Sequence, residues 1–171
     1  LKAAPTVPIG GNLSIAWTGP NNAGDFISID KATDGERTYG PYAYVSSGNP
    51  VSIRAPDSGG DYMVRYHTAA TYAVIGTTPV QVMDAGATLT AADTAVAGGN
   101  VSVTWTGPGH AGDFVSIDTV GADEKTYGSY AYADGAKGNA VTVRAPDAPG
   151  DYVLRYHLAA SYRVIGSVPL R

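Results

Sequence analysis

Cysteine is absent from the 171 residues. No disulfide can brace the fold, and no thiolate is available as a nucleophile or a soft metal ligand. That absence suits the cytosol and many bacterial exported proteins alike, and argues only against a disulfide-dependent secreted scaffold. A basic surplus is missing too: 11 Lys and Arg stand against 15 Asp and Glu, a net charge of −4. The chain therefore has no cationic stripe for a phosphate backbone, and nucleic acid is excluded as a partner class. No apolar run approaches the roughly 18 residues of a membrane span, so no membrane insertion is expected of this segment. Nothing at Leu1 has the cationic and apolar make-up of an export signal, and a chain beginning at Leu reads as a processed product or an excised segment. No stretch carries a helical apolar period of useful length. What is plentiful is Gly, at 22, and Pro, at 11, a composition that favours many turns.

The chain says one thing twice. Gly10-Gly-Asn-Leu-Ser-Ile-Ala-Trp-Thr-Gly-Pro20 returns as Gly98-Gly-Asn-Val-Ser-Val-Thr-Trp-Thr-Gly-Pro108, and Arg54-Ala-Pro-Asp57 returns as Arg144-Ala-Pro-Asp147. Trp105 minus Trp17 is 88, whereas Asp151 minus Asp61 is 90, so two residues were inserted between these points. The insertion falls where Val45 to Pro50 faces the longer, Gly-containing Ala133 to Ala140. Every aromatic residue obeys the register: Trp17/Trp105, Phe26/Phe114, and tyrosines 39/127, 42/130, 44/132, 62/152, 66/156 and 72/162. A period this long is a whole domain, not a solenoid unit. Two domains are expected, residues 1–85 and 86–171, each large enough for a modest core.

Alternation of period two dominates each copy. In the first, Leu13, Ile15 and Trp17 alternate inward between Asn12 and Trp17. Asp25 to Asp30 puts Ile27 and Ile29 on one face and Phe26, Ser28 and Asp30 on the other. Thr38 to Tyr44, Val51 to Arg54, Asp61 to Thr68 and Tyr72 to Val80 follow, with an edge strand near Thr6 to Pro8. The second copy repeats this from about Ala91 to Leu170. Seven short strands in some 80 residues predict an all-β fold: two tandem β-sandwiches of immunoglobulin or fibronectin type III kind.

Ala55 to Tyr66 and Ala145 to Tyr156 share a turn followed by Gly-Asp-Tyr. This is the pattern of a tyrosine corner, in which Tyr62 and Tyr152 return their hydroxyls to the backbone just upstream. Tyr62 inward implies Val64 and Tyr66 inward, and Met63, Arg65 and His67 outward. Trp17 and Trp105 read as core pillars; the alternative is an exposed Trp that stacks on sugar.

Trp-Thr-Gly-Pro, Gly-Asp-Phe-(Ile/Val)-Ser-Ile-Asp, Thr-Tyr-Gly-(Pro/Ser)-Tyr-Ala-Tyr, Arg-Ala-Pro-Asp and Gly-Asp-Tyr-x-x-Arg-Tyr together resemble the β-sandwich repeats attached to von Willebrand factor A domains in exported proteobacterial proteins. The resemblance covers nearly the whole chain, twice. It implies a non-catalytic, extracytoplasmic accessory module (periplasmic, cell-surface or secreted) serving adhesion or protein assembly. The A domain and its metal-coordinating Asp-x-Ser-x-Ser are absent from this sequence, so that metal-dependent binding transfers to no residue here.

Other chemistry is thin. His67 and His157 recur as Arg-Tyr-His, and His110 stands in a Gly-rich loop; no His-x-His or His-x-x-x-His spacing suggests zinc. No Gly-x-Ser-x-Gly elbow supports a hydrolase, and no enzyme activity, cofactor or metal is expected. Asp30, Asp34 and Glu36, with Asp118, Asp123 and Glu124, gather at a turn but lack the Asp-x-Asp-x-Asp-Gly run of a calcium loop. They read as acidic turn residues, with Asp30 near Arg65. Asn12-Leu-Ser14 and Asn100-Val-Ser102 match the glycosylation acceptor pattern at strand starts, without meaning in a bacterial protein. The remaining candidate is an aromatic surface: Phe26, Tyr42, Tyr44 and His67, with Phe114, Tyr130, Tyr132 and His157. Tyrosine-rich faces bind proteins or stack on sugars, although the same rings could simply cover the sheet. The expected function is a non-enzymatic interaction or spacer module with a protein or surface polymer as partner. The alternative is a carbohydrate-binding accessory domain of a surface enzyme. The sequence leaves the oligomeric state open.

Overall fold

The computed structural model describes residues 1–135 and 138–171. Ala136 and Lys137, inside the longer loop expected at Ala133 to Ala140, lie outside the described residues. The chain forms two compact units, Leu1–Asp84 and Ala85–Arg171.

The first unit has seven strands: β1 (Thr6–Pro8), β2 (Asn12–Ile15), β3 (Phe26–Lys31), β4 (Tyr42–Tyr44), β5 (Val51–Arg54), β6 (Gly60–His67) and β7 (Val74–Met83). One sheet runs in the order β1-β7-β6-β3-β4, and β2 pairs with β5 opposite it. The second unit has β8 (Thr88–Thr90), β9 (Asn100–Thr106), β10 (Phe114–Thr119), β11 (Tyr130–Tyr132), β12 (Ala140–Arg144), β13 (Tyr152–His157) and β14 (Val164–Leu170). Its sheets run β11-β10-β13-β14 and β12-β9-β8. A three-strand sheet facing a four-strand sheet, joined by Greek-key connections, is the fibronectin type III form of the immunoglobulin-like sandwich. The second copy starts earlier than its sequence pattern suggests, at Thr88 rather than Ala91, because Leu89 already packs into its core.

Strand alternation builds each core. Leu13, Ile15, Ile27, Ile29, Val51, Ile53, Val64 and Tyr66 are buried in the first unit, and Val101, Val103, Val115, Ile117, Val143, Leu154 and Tyr156 at matching places in the second. The recurrent Gly-Gly and Ala-Pro motifs clip together. Gly10 N–H donates to the Pro56 carbonyl (3.2 Å) and Ala55 N–H to the Gly11 carbonyl (2.7 Å), with Gly98, Pro146, Ala145 and Gly99 repeating the pair at 2.9 and 2.7 Å. Gly10 and Gly98 sit at φ +66° and +70°, a region that favours glycine.

The strand expected over Thr38 to Tyr44 is shorter, Tyr42–Tyr44. Gly40 is the cause. It presses so close to the backbone of Ile29 that a Cβ there would lie 2.5 Å from the Ile29 carbonyl oxygen, and Gly128 does the same to Ile117. Each segment thus leaves the ladder and crosses the outer face of its sheet.

Candidate functional site

That crossing segment changes the character of the outer face. Phe26, Ser28 and Asp30 do share one face of β3, opposite Ile27 and Ile29, and β6 pairs with them through Phe26↔His67 and Ser28↔Arg65. They do not meet solvent. Phe26, Ser28, Asp30, Arg65 and His67 are all buried, as are Phe114, Ser116, Asp118, Arg155 and His157. The expectation that Phe26, His67, Phe114 and His157 form part of an exposed surface is therefore corrected. Alternation along a strand assigns a side chain to a face, but it does not reveal a loop that covers the face.

The cover is held by the charges beneath it. Arg65 Nη1 donates to the Asp34 carbonyl at 2.8 Å, and Gly40 N–H donates to Asp30 Oδ1 at 2.9 Å. In the second unit Arg155 Nη1 reaches the Asp123 carbonyl at 3.4 Å and Gly128 N–H reaches Asp118 Oδ1 at 2.9 Å. Arg65 Nε lies 3.7 Å from Asp30 Oδ2 and Arg155 Nε 3.6 Å from Asp118 Oδ2.

Under the cover, Ser28 Oγ donates to Asp30 Oδ2 at 2.8 Å and lies 2.9 Å from His67 Nε2. His67 Nδ1 faces the Tyr72 carbonyl at 3.4 Å. Ser116, Asp118, His157 and Tyr162 repeat this with 2.8, 2.9 and 3.0 Å. The residue types are those of a hydrolase triad, but Ser28, Asp30 and His67 are all buried, as are Ser116, Asp118 and His157. A nucleophile needs access to substrate. The arrangement is a structural clamp joining β3, β6 and the loop carrying Tyr72. Burial pushes the Asp30 carboxyl up, but hydrogen bonds from His67, Gly40 and Ser28 outweigh it and hold the group below the usual carboxylate range. Asp118 is held down in the same way.

A second clamp escaped the sequence reading. Asp25 accepts from Asn22 N–H (3.0 Å), Ala69 N–H (2.9 Å) and the Tyr66 hydroxyl (3.0 Å). Asp113 accepts from His110 N–H, Ala159 N–H and the Tyr156 hydroxyl at 3.1, 2.9 and 3.1 Å. The repeated Gly-Asp-Phe was its only sequence signal. The Tyr62 hydroxyl donates to the Ser58 carbonyl at 3.0 Å and Tyr152 to Ala148 at 2.9 Å. Trp105 is buried at 4% exposure, while Trp17 is only half-buried, packs on Tyr66 and donates its indole N–H to the Gly48 carbonyl at 3.0 Å.

Among the described residues no group of His, Asp and Glu converges as a metal site. Asp30 and Asp118 are consumed by their clamps.

What is exposed is the rim. Phe26 stacks on His67 (centroids 4.5 Å, planes within 4°), and Phe114 on His157 identically. Over this pair stand Tyr39, Tyr42, Tyr44 and Tyr72, exposed by 40 to 48%. They border a pocket of about 250 Å³ floored by Phe26, Gly24 and Ala69. Tyr127, Tyr130, Tyr132 and Tyr162 border its counterpart of about 230 Å³ over Phe114, Gly112 and Ala159. Of the expected surface residues, Tyr42, Tyr44, Tyr130 and Tyr132 stand on the rim, whereas the Phe and His members support it from below. Tyr39 and Tyr72 with their counterparts join it, and sequence reasoning missed them because loops deliver them. Tyr72 and Tyr162 adopt φ +62° and +63°, a conformation rare for a bulky side chain and costing on the order of 1 kcal/mol or more.

Strand order and register define the class: tandem β-sandwich modules of fibronectin type III kind. In three dimensions the chain is similar to a segment of two fibronectin type III domains from chicken tenascin, at 12% identity and TM-score 0.36, covering 98% of this chain and 95% of that one. It is similar also to the FN1-FN3 domains of chicken CNTN1 (11% identity, TM-score 0.35, 98% of this chain) and to the adhesin InvE of Yersinia pseudotuberculosis (13%, 0.33, 98%). The chain spans 65% of the CNTN1 fragment's length and 56% of the adhesin's. No family model matches the chain, and no curated protein matches it in sequence.

Proposed function

We propose that the chain is a non-catalytic protein-interaction module whose contact surfaces are its two tyrosine rims, within an exported bacterial protein. The observation that carries this reading is the behaviour of exposed positions across the repeat. Lys31, Ala32 and Thr33, all exposed, have become Thr119, Val120 and Gly121. The rim tyrosines beside them are unchanged, although Tyr42, Tyr44, Tyr130 and Tyr132 remain 47 to 62% exposed and contribute little to either core. Solvent-facing rings kept together above a buried support are contact area, since tyrosine offers a large rigid surface at small entropy cost. The burial of the Ser, Asp and His groups beneath the covering segments supports the non-catalytic reading. Export and an assembly or adhesion role draw on the resemblance to repeats attached to von Willebrand factor A domains.

The test replaces Tyr42, Tyr44, Tyr130 and Tyr132 together with Ala. Melting of the variant is expected within a few degrees of the parent, because the removed rings are half in solvent. Retention of the immobilised protein's binding partners from the surface fraction of its source cells is expected to fall at least tenfold. Unchanged retention would make the chain a spacer, and turnover of an ester or glycoside by the parent would end the non-catalytic reading.

A further inference from the structure

We propose that the open end of the second unit is a strand-completion site: it takes an extended two-residue continuation of β14 past Arg171, whose first side chain, branched and apolar, fills the pocket there. The tyrosine rims take no part in it. The site is a joint that grips the start of a further module attached at that point.

The first unit shows the same site occupied. Its β7 runs on to Met83, and Val82 pairs on one side with Gly60 of β6 and on the other with Val7 of β1. Val82 is buried at 1% exposure, and the Met83 carbonyl accepts from Ile9 N–H at 2.9 Å. The second unit keeps this register as far as β14 goes. Arg171 N–H donates to the Asp93 carbonyl at 2.9 Å, just as Gln81 N–H donates to the Pro5 carbonyl at 2.9 Å. The counterparts of Gly60 and Val7 are Gly150 and Ala95, and both line the pocket of about 190 Å³. The position after Arg171 therefore aims its side chain into that pocket, and the carbonyl of the next position meets Ala97 N–H, the counterpart of the Ile9 donor. Strand β6 begins at Gly60, opposite Val82, whereas β13 begins two positions later in the repeat, at Tyr152.

The walls fix the chemistry of the occupant. Ala95, Ala97, Ala145, Pro146, Pro149 and Leu170 make the pocket apolar, while Arg171 at its mouth turns its guanidinium to Asp151 at 3.0 Å. Val7 and Ile9 have become Ala95 and Ala97, so the second pocket holds a side chain larger than valine, and isoleucine suits an extended backbone. Cover is what this end needs. Ile9 is buried where Ala97 is exposed, and Tyr62 is buried where Tyr152 is half-buried; seating the continuation removes that apolar surface from water. The slot lies in line with β14, so the segment that enters it is one joined to Arg171. In the first unit the seated pair hands the chain on at once, since only Asp84 separates Met83 from Ala85 of the next unit.

The test extends the full chain after Arg171 by Ile-Met-Asp or, as a control, by Gly-Ser-Asp. The Ile-Met-Asp version is expected to melt about 4 to 8 °C higher in its second unit than the control. Exchange of the Ala97 amide is expected to slow at least about tenfold, and NOEs should join the added Ile methyls to Ala95 and Tyr152. Equal melting and equal Ala97 exchange in the two extended chains overturns the proposal, as do NOEs that place the added Ile elsewhere. A free Arg-Ile-Met-Asp peptide at millimolar concentration is expected to leave the unextended chain unchanged. Stabilisation by that peptide equal to the fused extension assigns the pocket to a separate strand and overturns the joint. Concentration-dependent melting of the unextended chain, with NOEs from a second copy in the pocket, overturns it as well.

Discussion

Asp30 shows how one side chain holds several elements at once. Its two oxygens join β3 to the serine and histidine beside it and to the backbone of Gly40 in the covering segment. Because the folded carboxyl is held below its ordinary value, it contributes stability above the unfolded value of about 3.9. That contribution disappears as pH falls through the lower folded value. Asp118 behaves alike. Asp30→Asn with Asp118→Asn is expected to lower stability at pH 7 by about 1 to 3 kcal/mol per unit, the cost of leaving buried partners unsatisfied. The gap between parent and variant should close as pH falls below about 4. Urea titrations at pH 7 and pH 3 measure both, and an equal gap at the two pH values would show that these carboxylates are not what acid removes.

At the scale of elements, the covering segments between β3 and β4 and between β10 and β11 decide what the sheet presents. Their path requires glycine where they cross Ile29 and Ile117, since any Cβ would collide with rigid main chain. Gly40→Ala and Gly128→Ala are each expected to cost more than about 2 kcal/mol, as core overpacking against backbone does. The rim tyrosines should become more mobile before the unit unfolds. Denaturant midpoints with tyrosine side-chain NMR check this; a variant as stable as the parent would mean that the segment can lift without loss.

The two units repeat one plan but are not equally filled. Val7 and Ile9 are buried at the end of the first sandwich; their counterparts are Ala95 and Ala97. In the second unit a pocket of about 190 Å³ opens among Ala95, Ala97, Ala145, Pro146, Tyr152 and Leu170. Filling it with Ala95→Val and Ala97→Ile is expected to raise the melting temperature of that unit, corresponding to about 0.5 to 2 kcal/mol. Calorimetry of the full chain reads this as an upward shift of one transition. A downward shift would mean the larger side chains strain the neighbouring turn.

The sequence by itself determined the repeat, the strand count, the inward and outward faces of β3 and β6, and the residues of the Tyr62 and Tyr152 turns. These are local properties: alternation sets faces, and Gly, Pro and Asp set turns. It also named Tyr42 and Tyr44 as surface rings. Only the tertiary structure decided that the outward face is buried, so that Phe26 and His67 support the rim, and that Tyr39 and Tyr72 complete it. Burial depends on which distant segment lies across a face. Here that segment is placed by Gly40 against Ile29 and by Arg65 and Asp30 beneath it, contacts between residues far apart in the chain that no strand period encodes.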